Sequence, residues 1–247
     1  MEPVPAELAA ANPAALEEEY RAREIYSGLV VEPPLAVRLD GVGWGKRLGA
    51  SEPRSLVVHR AEARAALQAA RELGAEMAYV VSDEVSLFWV ERGPPYSGRV
   101  EKLDSIAAGL LSSMVSLSLG RSLYYDARVV KLYGRVDAAR YIIYRARVGL
   151  NNYLTSLYHR LGLGRRGVTP HLGEVIEALR GAGVDPAALP RWALYGSCVV
   201  PLRAARSVDG VTVERRRWAI VEGYEACLEA LLGERWPQLL GRGAHSL

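Results

Sequence analysis

Apolar positions along this chain recur in short blocks whose spacing changes from helical to strand-like and back. Residues 6–28 read as one helix of mixed charge, ending near Ser27-Gly28. Leu35-Ala-Val-Arg-Leu39 is a nearly apolar run closed by Asp40-Gly41, and it predicts a strand. Val57–Leu73 carries Ala-rich filling at helical spacing, with Gly74 as its stop. Ala78–Val81 and Val85–Val90 are apolar runs either side of a polar tip, which predicts a hairpin. Arg99–Leu119 recurs with helical period at Leu103, Ile106, Ala107, Leu110, Leu111, Met114 and Leu117, and closes at Gly120. Asp126–Tyr133 predicts a strand, and Asp137–Leu161 a long helix capped by Asp137.

From Leu35 to Tyr133 the order is β-α-β-β-α-β, so the expected class is α+β with a ferredoxin-like arrangement. Long helices flank it. Beyond Gly162 a smaller α/β extension follows: a helix at 171–181, a strand near 195–203 and a final helix at 217–232. The expected units are a helical segment (1–29), a main domain (30–162) and the extension (163–247). In the ferredoxin-like topology the first two strands run the same way and the third returns. Asp40 and the hairpin-tip residue Asp83 therefore meet at one sheet edge, although they are 43 residues apart. Two carboxylates there suit a pair of Mg²⁺ ions that assist phosphoryl transfer, with the Gly41 carbonyl as a further ligand. Glu84 is either a supporting catalytic acid or a solvated tip.

Composition narrows the chemistry. No stretch reaches membrane-spanning length, and the N-terminus lacks the basic and apolar regions of a secretory signal, so a cytoplasmic protein without membrane partners is expected. Cys198 and Cys227 are too few for a disulfide framework or a Cys-based zinc site. The four histidines (His59, His159, His171, His245) are scattered. Any metal is thus a hard cation held by oxygen. The formal charge of +3 is uninformative, but its distribution is not. Between Ala138 and Gly173 lie six arginines (140, 145, 147, 160, 165, 166) and no Asp or Glu, and Arg215-Arg216-Arg217 forms a second cluster. Such patches suit a polyanion, although a charge run alone is more often a solvated helix face.

Gly41-Val42-Gly43-Trp44-Gly45, followed by Lys46 and Arg47, stands directly after the first acidic residue. Small residues there let backbone N–H groups approach phosphate oxygens. Trp44 can stack on a base or plug the core, and the core is the simpler reading. Arg99 and Lys102 open a helix and are candidates for a triphosphate or a 5′ phosphate, or else ordinary helix surface. Asn151-Asn152 interrupts a helix in a chain otherwise poor in asparagine, and it points to specific hydrogen bonds, to RNA or between helices.

In this order the motifs resemble the tRNA-histidine guanylyltransferase family, including its guanylyltransferase-like members. The matching segments are Arg38-Leu-Asp-Gly41, Ser82-Asp-Glu-Val-Ser86, Lys102 through Ser113, Tyr125-Asp-Ala-Arg-Val-Val130 and Asn151-Asn152, covering about residues 30–160. Leu189-Pro-Arg-Trp192 and Gly196 add a looser likeness. The resemblance implies a polymerase-type palm with two metals on Asp40, Gly41 and Asp83, and it adds Ser82 to the nucleotide-binding residues. It implies ATP and GTP as substrates and tRNA as partner, held through Arg128, Arg140, Arg145, Arg147, Asn151, Asn152, Arg165 and Arg166. It also implies growth of RNA at its 5′ end after activation by a nucleoside triphosphate, in a homo-oligomer (dimer or tetramer).

Three positions depart from the family pattern. A His two residues before the paired Asn is here Gly149, a His after the first acidic motif is Gly45, and a Lys-Asn-Glu segment has no counterpart in Gly173–Leu179. The first and third fit templated repair of tRNA 5′ ends better than dedicated histidine-tRNA guanylylation, or else mean a partial loss of activity. Two other classes stay open on the sequence. One is a non-catalytic RNA-binding module of the same topology, though Leu35–Leu39 offers no aromatic to stack on a base. The other is a nucleotide cyclase, which needs no long basic helix.

Overall fold

Side chains on the strands sort by parity, and that parity decides which helices cover which face. The computed structural model describes residues 4–49, 54–164, 170–208 and 211–241, with backbone alone for 203–208, 211–214 and 241. Strand β1 (Leu35–Gly41) turns Leu35, Val37 and Leu39 to one side and Ala36 to the other. The same split holds for β2 (Met77–Val81) and β3 (Glu84–Trp89): Ala78, Val80, Val85, Leu87 and Trp89 join the first face, and Met77, Tyr79, Val81 and Phe88 the second. A sheet buried on both faces needs apolar residues at both parities, which is why these runs are nearly continuous rather than alternating.

The first face is covered by α4 (Leu56–Leu73) and α5 (Val100–Leu119). Ala63, Ala66, Ala69 and Ala70 of α4 are buried, and such small side chains let the helix lie close to the strands. The second face is covered by α6 (Arg135–Arg160) and α9 (Glu225–Leu232), through Ala138, Ile142, Ala146, Leu228 and Leu231. The C-terminal half of α6 carries a satellite core around Leu154 with α7 (Leu172–Gly181) and α8 (Arg191–Tyr195).

With β4 (Tyr125–Lys131), β5 (Ser197–Val208) and β6 (Val211–Glu222), the sheet has the order β4-β1-β3-β2-β5-β6, and each strand runs antiparallel to its neighbours. The fold is a mixed one of helices on an antiparallel sheet. The extension thus adds strands to the same sheet: β5 pairs with β2 over Ala78–Val80 and then runs on with β6 as a two-stranded ribbon. Cys198 and Cys227 form a disulfide that joins β5 to α9, with Cα atoms 5.6 Å apart.

Three expectations need correction. The stretch 6–28 is not one helix but α1 (Ala6–Ala10) and α2 (Pro13–Arg21), because Asn12 caps a new helix and Pro13 cannot continue the old one. Residues 217–222, expected to open the last helix, belong to β6; the helices begin only at Glu225 and, for the last, at Trp236. The long helix starts at Arg135 behind Gly134, and Asp137 sits inside its first turn, where Oδ2 accepts from the Tyr133 N–H at 3.0 Å. Among the described residues, no helix is long and apolar enough to cross a membrane.

Candidate active site

The end of β1 and the tip of the β2–β3 hairpin lie at one level. The Gly41 N–H donates to the Asp83 carbonyl at 2.9 Å, one rung beyond the β1–β3 ladder. Asp40 stands opposite Glu84 on β3 and opposite Asp126 on the edge strand β4. Burial raises the Asp40 carboxyl above its usual range. Asp83 and Asp126 push the same way, against Arg38 and Arg128. The edge is therefore a place where negative charge accumulates and a cation is favoured. Gly41 is required by close approach, since a Cβ there would lie 2.8 Å from the Trp44 ring. Trp44, in α3 (Trp44–Leu48), is buried edge-on to Tyr125 and donates from Nε1 to the Tyr124 carbonyl at 3.2 Å, a core position.

A cleft of about 490 Å³ opens beside Asp83. Its walls come from α3, the start of α4, the hairpin tip, the last residue of α5 and Trp192 of α8. Trp44, Gly45, Ser82 and Asp83 line it. Val42, Gly43 and Lys46 are exposed on the loop and short helix next to it.

Sequence reasoning missed Arg54, His59, Glu62, Arg121 and Trp192, which also line it. Glu62 is fully buried. Tyr125 donates its hydroxyl to Oε1 at 2.9 Å, and Oε2 has no hydrogen-bond partner among the described residues. Burial pushes the Glu62 carboxyl well above the ordinary carboxylate range. His59 shares a 2.8 Å hydrogen bond with Ser197 Oγ and lies 5.2 Å from the Trp192 ring, and burial, then Arg54, lowers its pKa to about 4.

Residues 17–144, which hold both acidic signatures and the Asp126 strand, match the family model of tRNAHis guanylyltransferase. The chain belongs to the tRNAHis guanylyltransferase family. It is accordingly a nucleotidyltransferase, which excludes the non-catalytic RNA-binding module.

Solved structures agree on the fold of this guanylyltransferase-family chain. A bacterial tRNAHis guanylyltransferase-like protein in complex with ATP is 17% identical, with a TM-score of 0.68 over 88% of this chain and 97% of its own. A bacterial guanylyltransferase-like protein in complex with GTP is 19% identical, with a TM-score of 0.65 over 84% and 90%. The Saccharomyces cerevisiae tRNAHis guanylyltransferase is 17% identical, with a TM-score of 0.62 over 79% and 95%. No curated protein sequence matches the chain.

Other residues singled out from the guanylyltransferase resemblance are dispersed. Glu84 is not a solvated tip. It is buried on the α6 side, accepts from Arg145 Nε at 2.7 Å and from a second Arg145 N–H, and has Arg38 at 4.0 Å. Its oxygens and Arg145 are thus engaged with each other, where the sequence reading gives Glu84 a supporting catalytic role and Arg145 an RNA-binding one. Arg99 and Lys102 open α5, whereas Leu119 at its other end lines the cleft. Twenty residues of helix, about 30 Å, separate them from it. Arg128 is exposed and paired to Asp126 at 2.8 Å. Arg140, Arg147 and Asn152 are exposed on α6, and Asn151 accepts from Arg147 at 3.4 Å, with no inter-helix bond among the described residues. Arg165 and Arg166 lie outside the described residues.

Proposed function

We propose that the carboxylate edge and its cleft add nucleotides, GTP favoured, to the 5′ end of a tRNA in the 3′-to-5′ direction. In this reading the ferredoxin-like half of the sheet is a polymerase-type palm. The observation that carries it is the Gly41–Asp83 hydrogen bond, which brings two acidic signatures to one edge beside a cleft of nucleotide size. First the tRNA 5′ monophosphate attacks the α-phosphorus of ATP and pyrophosphate leaves. Then the 3′ hydroxyl of the incoming GTP attacks the activated 5′ phosphorus and AMP leaves. Pyrophosphate is removed from the new end afterwards.

Mg²⁺ fits the donor set. Asp40, Asp83 and the Gly41 carbonyl are hard oxygen ligands on an edge with surplus negative charge. Among the described residues no group of three His, Cys, Asp or Glu is placed to hold a metal ion; an ion here would complete its shell with phosphate and water oxygens. When bound, two such ions neutralise phosphate charge and lower the pKa of the attacking hydroxyl. The Gly41–Gly45 backbone and Lys46 orient the polyphosphate, while Ser82 and the flank of Trp44 shape the cleft. The exposed arginines of α6 hold the tRNA body. Assembly as a dimer or tetramer, in the cytoplasm, belongs to the same reading.

The test uses a 5′-monophosphorylated tRNA lacking its first nucleotide, with Mg²⁺, ATP and labelled GTP. Asp40→Ala and Asp83→Ala should each lower 5′ extension by about 10²–10³-fold, the range for losing one group that stabilises developing charge. Full extension by either variant would overturn the assignment. Changing the base opposite the gap then tests templating.

A further inference from the structure

Arg54 stands before α4 and lines the cleft beside Asp83. A guanidinium has five N–H donors. One Arg54 nitrogen donates to the Ala193 carbonyl, another to the Gly149 carbonyl at 2.7 Å, and the group lies 5.2 Å from the centre of the Tyr153 ring. These contacts fix the side chain without neutralising it. Among the described residues, none of the ion pairs involves Arg54. Burial lowers its pKa only to about 10, so it remains a cation at neutral pH. The acids that face it are Asp83, which the proposed function assigns to metal, and Glu62, which is bonded to Tyr125.

A partly buried cation without a paired anion is costly unless something else supplies the anion. Here the open side of the group is the cleft. We propose that Arg54 is a phosphate-binding residue of the active site, its remaining N–H donors taking oxyanions of a nucleotide polyphosphate or of an RNA 5′ phosphate. A planar guanidinium matches two phosphate oxygens at once. Two carbonyl tethers hold it in position beforehand, so little side-chain freedom is lost on binding. The assignment rests on the proposed function, which places phosphate in this cleft.

The experiment measures binding rather than turnover, by calorimetry, for the wild type, Arg54→Gln and Arg54→Lys. One arm compares ATP with AMP. The other compares a truncated tRNA bearing a 5′ phosphate with its 5′-hydroxyl form. In Arg54→Gln one of the two affinity ratios should shrink about 10- to 100-fold, the worth of hydrogen bonds to a charged group. Arg54→Lys should keep part of that ratio, since it retains the charge but not the planar fork, and the arm that collapses identifies which phosphate is held. Unchanged ratios in Arg54→Gln overturn the proposal. Equal losses in the Gln and Lys variants also overturn it, because a positive charge at this position would then contribute nothing to holding phosphate. A wild type with affinity for neither ligand defeats the proposed function and this inference with it. Where Arg54→Gln does not fold, the Arg54 Nε–H resonance of the wild type, assigned by its loss in Arg54→Lys, must shift when inorganic tripolyphosphate is added. A resonance that stays in place refutes the contact.

Discussion

Neutral His59 sits where a charged imidazole has no place: it is buried, bonded to Ser197, under Trp192 and beside the Arg54 guanidinium. Its pKa falls from 6.5 to about 4, so between those values the unfolded chain binds a proton that the folded chain refuses. Stability contributed by the neutral ring is complete above pH 6.5 and drains away as the pH falls toward 4, by about 3 kcal/mol at most. Urea melts of the wild type and His59→Gln at pH 7.5 and 4.5 check this, and the substitution should flatten much of the difference. At this scale the sequence was half legible. Asp40 and Asp83 end apolar runs, which marks them out to a reader of patterns. Arg54 acquires its position from carbonyls 95 and 139 residues away, and no local pattern encodes such contacts. Glu62 did leave a trace, as a lone acid among the alanines of α4, Ala61, Ala63, Ala65 and Ala66.

Helix α6 is fastened to the sheet by a charge pair as well as by its apolar stripe. Glu84 and Arg145 are nearly buried, with 4% and 12% of their side chains exposed. Removing one partner strands the other charge, so Arg145→Ala should cost about 3–5 kcal/mol. An apolar pair, Glu84→Leu with Arg145→Met, should cost clearly less than Arg145→Ala alone. Chemical denaturation of the three proteins decides it, and equal losses would show that the pair contributes no more than packing volume. Elements with a single strong period were legible: α4 and α5 begin within one residue of where the sequence puts them. Strand β6 was not, because Arg215-Arg216-Arg217 breaks its alternation and Ala219-Ile220-Val221 suits a helix start as well as a strand. Those residues become a strand by pairing with β5.

Over the whole molecule, two cysteines that cannot make a framework still make one cross-link. The Cys198–Cys227 loop spans 29 residues and ties the sheet's extension to the helix that covers it. In the chain-entropy account such a loop is worth about 3–4 kcal/mol. Cys198→Ala with Cys227→Ala, compared with the oxidised wild type in guanidinium melts, should lose most of that. A difference under about 1 kcal/mol would mean that the surrounding core already holds the two elements together. The other long-range join is tighter and has no bond in it. At Gly149, α6 passes the hairpin so closely that a Cβ would fall 2.3 Å from Val81 Cγ2. The histidine that the family pattern carries there cannot simply be written back into this chain. Val81 would have to shrink or the helix retreat first, and either change alone loosens a packed core. Position 149 is thus reserved by packing for a residue without a side chain, whatever chemistry a larger one would bring.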